Sequence, residues 1–184
     1  MPSQNPLSRT KATIRRRIPS FFCGEDAHTE PAAGLVPLAD LAQPSGLRSH
    51  KPHVAEVITT ITIDRLAALL DARGIATHRK QLGDGDYLNF NIGPFKALIF
   101  PYGCSPDFSS LQFHLNFGAR PDFQAVNRWN QDNRYGRAFL DDDGHPVLQY
   151  DIDLEGGATL ELILEAQKTF RALVEDFNES VVEA

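Results

Sequence analysis

The sequence predicts an α+β domain, an antiparallel sheet with helices packed on one of its faces. Three observations predict it. Several short stretches alternate apolar and polar residues with a period of two, most clearly "LQFHLNF" at 111–117. They follow one another closely, as antiparallel strands with one buried and one wet face do. Other stretches repeat their apolar residues at helical spacing before, between and after these strands.

The first 53 residues precede this pattern and differ from it. They contain Pro2, Pro6, Pro19, Pro31, Pro37, Pro44 and Pro52 and show no apolar period. They also carry a net charge of +3, against −9 for the remainder. Such a segment buries too little to offset its ordering entropy, so residues 1–53 are expected to be a disordered basic arm and residues 54–184 the domain. "IRRRIPSFFC" suggests a secretion signal, but the apolar run after Arg17 is too short for one.

In "ITIDRLAALLDARGI", Thr62 is placed to cap a helix whose stripe is Ile63, Leu66, Leu69 and Leu70, and Gly74 to end it. "YLNFNI" turns Leu88, Phe90 and Ile92 one way and Tyr87, Asn89 and Asn91 the other. After Gly93-Pro94, "FKALIF" reads as a second strand and "GCSPDFS" as a loop. In the next strand Leu111, Phe113, Leu115 and Phe117 oppose Gln112, His114 and Asn116. Pro121 suits a first helical position, and Phe123, Val126, Trp129 and Asn130 place a helix at 121–133, which Gly136 ends. "RAFLDD", the turn "DDGHP" with Gly144 at positive φ, and "VLQYDIDL" form a hairpin. Beyond Gly156-Gly157, Leu160, Ile163, Leu164, Phe170, Leu173, Val174 and Phe177 form the stripe of a last helix.

Composition restrains function. A net charge of −6 argues against a nucleic-acid partner, and no stretch is long enough to insert in a membrane. Cys23 and Cys104 are too few for a disulfide framework or a metal cluster, and each is expected to be a small buried or bystander side chain. Asp141-Asp142-Asp143-Gly144 lacks the alternate spacing of a calcium loop and reads as a turn. The chain has no phosphate-binding glycine loop, no G-x-S-x-G and no C-x-x-C. No metal, cofactor or catalytic set is therefore expected. The alternative is a hydrolase or metal-dependent enzyme in which His114 meets Asp151 or Asp153 across the sheet.

Asn127 and Asn130 are poor interior helix residues, so something must explain each: bonding to backbone where helix meets sheet, or recognition of a partner. Trp129 reads as a core anchor. Arg134 and Arg137 flank the helix exit.

"AVNRWNQDNRYGRAFLDDDGHPVLQYDIDLEGGATLELI" resembles the YbjN family of bacterial proteins. The resemblance lies in a V-N-x-W-N helix, an R-x-G-R-A strand start, a D-x-D-G turn and the "VLQYDIDLEGG" strand. "LAALLDARGI" and "FKALIFPYGCS" also fit, so that it spans roughly Ile61 to Val182. The resemblance implies a fold like that of type III secretion chaperones and a role in sensory-transduction regulation. It implies no catalytic residues. The expectation is a non-enzymatic, cytoplasmic, regulatory or chaperone-like module that binds a protein or peptide client, with a homodimer allowed. The client would meet the polar sheet face at Asn89, Asn91, Gln112, His114 and Asn116, with Asn127, Trp129, Asn130, Arg134 and Arg137 shaping the site.

Overall fold

Thr62 opens the first helix as its spacing suggests, its hydroxyl accepting the backbone N–H of Arg65 at 3.2 Å. The structure, a computed structural model, describes residues 56–83 and 85–183. The arm at 1–53 lies outside the described residues.

Strand β1 (Val57–Ile58) leads to helix α1 (Ile63–Asp71), which buries Ile63, Leu66 and Leu70. Gly74, at φ +77°, turns the chain out of the helix, and the Ile75 N–H bonds back to the Leu70 carbonyl at 3.0 Å. Then come β2 (His78–Leu82), β3 (Gly85–Ile92), β4 (Phe95–Cys104) and β5 (Asp107–Asn116). Helix α2 (Phe123–Asp132), strands β6 (Arg137–Leu140), β7 (Pro146–Asp153) and β8 (Ala158–Thr159), and helix α3 (Leu160–Phe177) complete the fold. A π-helical turn, Asn178–Val182, follows.

The main sheet has the order β2-β3-β4-β5-β7-β6 and is antiparallel throughout. β1 and β8 pair separately. Leu88, Phe90, Ile99, Leu111, Phe113, Leu115 and Leu148 point to one face, where they meet the buried sides of all three helices in one apolar cluster. This is the expected α+β arrangement, with the helices on one side.

The details differ from the sequence reading in several places. "HRKQL" is an edge strand; it is almost wholly exposed and so carries no apolar period. "GCSPDFS" is a hairpin rather than a loop, with Cys104 opposite Asp107 and a register shift at Tyr102 and Gly103. Cys104 is not a free thiol, against the bystander expectation. The second helix begins at Phe123 with Asp122 as its N-cap, so Pro121 precedes the helix instead of opening it.

Gly136 does not end that helix, which stops at Asn133 with ordinary negative φ. Its role is space: a Cβ there would lie 2.8 Å from the Trp129 ring and 3.2–3.3 Å from Leu148 and Leu173. The triple-Asp segment is a turn, as expected. Gly144 has φ +78°, and the Asp141 carboxylate accepts the N–H groups of Asp143 and His145 at 3.0 and 2.8 Å.

Candidate functional site: the outer face of the sheet

Antiparallel register places residues on the face away from the helices in rows. One row crosses all six strands: His78, Asn89, Leu98, His114, Gln149 and Arg137. The next contains Phe100, Gln112 and Asp151. On the other side Asn91 lies opposite Lys96, and Asn116 opposite Val147. The five strand residues expected at the site thus share one surface with Arg137.

The face is not the polar, wet surface that alternation suggested. Asn89, Gln112 and His114 are buried, at 5%, 9% and 5% exposure. Leu98, Phe100 and Val147 are buried among them, yet they stand outside the main core cluster. Tyr87 and Phe100 have ring centroids 5.4 Å apart, and Phe100 meets His114 edge-on at 5.5 Å. The face therefore has its own small apolar centre. The sequence did hold a sign of it. Ala97 to Tyr102 is a continuous apolar run, the mark of a strand with apolar residues on both faces.

A chain of hydrogen bonds frames this centre. The Tyr102 hydroxyl donates to Gln112 Oε1 at 3.3 Å, and Gln112 Nε2 donates to Asp151 Oδ1 at 2.7 Å. Arg137 approaches Asp151 Oδ2 at 3.4 Å and also donates to Gln149 Oε1. Gln149 Nε2 in turn donates to His114 Nδ1 at 3.1 Å. His114 Nε2 then carries the ring proton and donates to Asn116 Oδ1.

Burial fixes the charge state of this imidazole. It lowers the His114 pKa from 6.5 to about 4, outweighing the bond to Asn116 and the Asp151 charge, which both favour the cation. Burial also holds the Tyr102 phenol above its ordinary value, with Asp151 adding to the rise and Arg137 opposing it. His114 is thus a neutral, doubly bonded member of the frame. No hydrogen bond or ion pair joins it to Asp151 or Asp153; the Asp153 carboxylate accepts the Glu155 N–H at 2.9 Å. The groups named for a hydrolase do not form an acid–base pair. Among the described residues no three His, Cys, Asp or Glu are grouped to hold a metal ion.

The helix motif lies elsewhere. Trp129 is buried against Phe177, and its indole N–H donates to Asp176 Oδ2 at 2.6 Å. Asn130 bonds both backbone groups of Ala138 on β6. Asn127 and Arg134 are exposed, and the Arg134 guanidinium lies 5.4 Å from the centre of the Tyr135 ring. Trp129 and Asn130 fasten α2 to α3 and β6, Asn127 and Arg134 do not, and Arg137 alone of the five reaches the outer face.

A family model described as "YbjN: Putative bacterial sensory transduction regulator" matches residues 62–183. The chain belongs to the YbjN family. The match spans α1 to the π-helical turn and so includes every strand of the main sheet. Among solved structures the chain is similar to "YbjN, a putative transcription regulator from E. coli", with a TM-score of 0.53 and 16% identity. The likeness covers 69% of this chain and 98% of that one, and at such identity it shows the YbjN fold alone. No curated protein matches the chain. No described helix of this YbjN-family chain is long and apolar enough to cross a membrane.

Proposed function

We propose that the chain is a non-enzymatic regulatory module of chaperone-like type that binds a protein or peptide client on the outer face of its sheet. One observation carries this reading. The face holds an apolar centre, Leu98, Phe100 and Val147, outside the main core and ringed by polar residues. An apolar middle with a hydrogen-bonded polar rim is the anatomy of a protein contact surface. The bonds from Tyr102 to Asn116 hold that rim in place before a client arrives, which lowers the ordering cost of binding. Asn89, Gln112 and His114 stiffen the centre. Tyr87, Asn91, Lys96, Asn116 and Arg137 are the side chains a client meets.

The two sheet edges direct an extended client. At β6, Asn130 occupies the outward backbone groups of Ala138. At β2, the other edge of the sheet order, no further strand follows among the described residues. A client that adds a strand therefore does so along His78–Leu82 and continues over the face.

The test is co-purification. The tagged full chain is compared with Tyr87→Asp/Asn91→Asp, whose folding is checked by circular dichroism. A protein held by the first and lost by the second is the expected result. Equal retention by both, or no specific protein with either, contradicts the reading.

A further inference from the structure

Cys104 is joined in a disulfide. The chain holds one other cysteine, Cys23, in the arm that lies outside the described residues. A disulfide needs its two Cα atoms within about 7 Å of each other. The bond therefore points to an arm that reaches the end of β4.

The place where the arm meets the domain agrees. β1 begins at Val57, and Ile61 bonds both backbone groups of Phe108, at 2.8 and 3.1 Å. Phe108 follows Asp107, which pairs with Cys104 across the β4–β5 hairpin. The chain thus enters the domain beside the hairpin that carries Cys104. The arm's charge of +3 against −9 for the domain favours their approach.

The outer face offers the arm a seat. Leu98, Phe100 and Tyr102 precede Cys104 on β4 at alternate positions. Phe100 and Tyr102 meet the outer-face side chains of His114 and Gln112. Asn89, Leu98, Phe100, Gln112 and His114 are all only 5–9% exposed, although the helices pack on the opposite face. Neighbouring strands cover the flanks of such side chains, and burial this deep fits a further segment lying over their ends. Before Cys23 stand Ile18, Pro19, Ser20, Phe21 and Phe22, an uncharged and mainly apolar run. Five extended residues span roughly 17 Å, and Phe100 and Leu98 lie roughly 13–20 Å along the strand from Cys104. The run is long enough to pass from Cys104 over the apolar centre.

We propose that residues 18–23 dock on the outer face as an internal client, fixed by a Cys23–Cys104 disulfide and released when that bond is reduced. Phe21 and Phe22 lie on Phe100 and Leu98, and Asn91 and Lys96, at the far end, stay uncovered. To close the bond, the two thiols give up two protons and two electrons to a small-molecule disulfide of the glutathione class. The Sγ–Sγ bond forms, and the oxidant leaves as two thiols. A dithiol reductant reverses the exchange and is itself oxidised to a disulfide. The inference deepens the client reading, since the arm takes the apolar centre that a client needs. The experiment follows the arm itself with no client present, so either reading can fail without the other.

The test uses the full chain treated with glutathione disulfide. Free thiols are blocked, the chain is digested without reduction, and the peptides are identified by mass spectrometry. The expected result is one peptide pair joining Cys23 to Cys104 of the same monomeric chain. In the same sample, proton NMR is expected to show nuclear Overhauser contacts from the Phe21 and Phe22 rings to the Leu98 methyl groups. Dithiothreitol should abolish these contacts. Phe21→Ser/Phe22→Ser should keep the disulfide yet bring the Leu98 methyl resonances to their positions in the reduced wild type. Two blocked thiols, or a bond between two chains, would overturn the proposal. So would the internal disulfide without ring contacts, contacts that survive reduction, or Leu98 resonances indifferent to the double substitution.

Discussion

The side chain of Asn130 is bonded to both backbone polar groups of Ala138: Oδ1 accepts the N–H at 2.9 Å and Nδ2 donates to the carbonyl at 2.8 Å. A helix residue thus stands where another strand's backbone would stand, and it closes one edge of the sheet. Asn suits this position because its amide carries one donor and one acceptor in a plane, as a peptide group does. Asn130→Ala leaves both groups of the buried Ala138 without their partner and should cost about 2 kcal/mol. Asn130→Asp keeps the acceptor and loses the donor, and should also destabilise the protein. Asn127→Ala, at an exposed position, should change stability by less than ~0.5 kcal/mol. Urea unfolding midpoints of the three variants check this order; equal midpoints for Asn127→Ala and Asn130→Ala would refute it.

Gly136 is defined by the space above it. Gly136→Ala puts a methyl group 2.8 Å from the Trp129 ring and should cost about 1–3 kcal/mol through overpacking. The same clash should shift the fluorescence of Trp129, the only tryptophan. If Gly136→Ala matches the wild type in both stability and emission, the close approach is wrong.

His114 gives a pH dependence of definite sign. Its folded pKa, about 4, lies below the unfolded value of 6.5. Below pH 6.5 the unfolded chain takes up a proton that the native protein refuses. The stability is therefore fully present above pH 6.5 and is lost as pH falls through about 4, a loss on the order of 3 kcal/mol. His114→Gln should flatten this part of the curve, measured as unfolding midpoints between pH 7 and pH 4. An imidazole resonance that titrates near 6.5 in the native protein would contradict the buried, neutral assignment.

Asp141 acts through its own backbone turn and not through a cation. Asp141→Ala removes the acceptor for two N–H groups and should cost about 1–2 kcal/mol. Calcium at millimolar concentration should leave the melting temperature of the wild type unchanged. A calcium-dependent rise would show that the acidic turn binds the ion.

Much of this architecture was legible in the sequence because one-sided burial writes itself as alternation. Leu111, Phe113 and Leu115 showed their strand and its inner face, and the stripe from Ile163 to Phe177 showed the last helix. What escaped depends on partners distant in sequence. β2 has no inner-face signal, since an exposed edge strand such as His78–Leu82 need not bury either side. Gln112 and His114 look solvated when their own strand is read alone. They are buried because β4 lays Leu98 and Phe100 beside them, and register cannot be read from one strand. Gly136 reads from the sequence as the end of a helix, while its role is to make room for a ring whose position depends on helix packing.

The central claim is that the outer face of the sheet, and not the helical side, meets a protein client. The most direct measurement is site-specific photo-crosslinking in cells, with p-benzoylphenylalanine at Lys96 on the outer face or at Lys168 on α3. Lys96 is exposed opposite Asn91, and Lys168 is exposed on the helical side, so both probes are accessible. The account predicts a discrete crosslinked adduct with another protein from Lys96 and none from Lys168. Adducts from Lys168 alone, equal adducts from both, or none from Lys96 would contradict it.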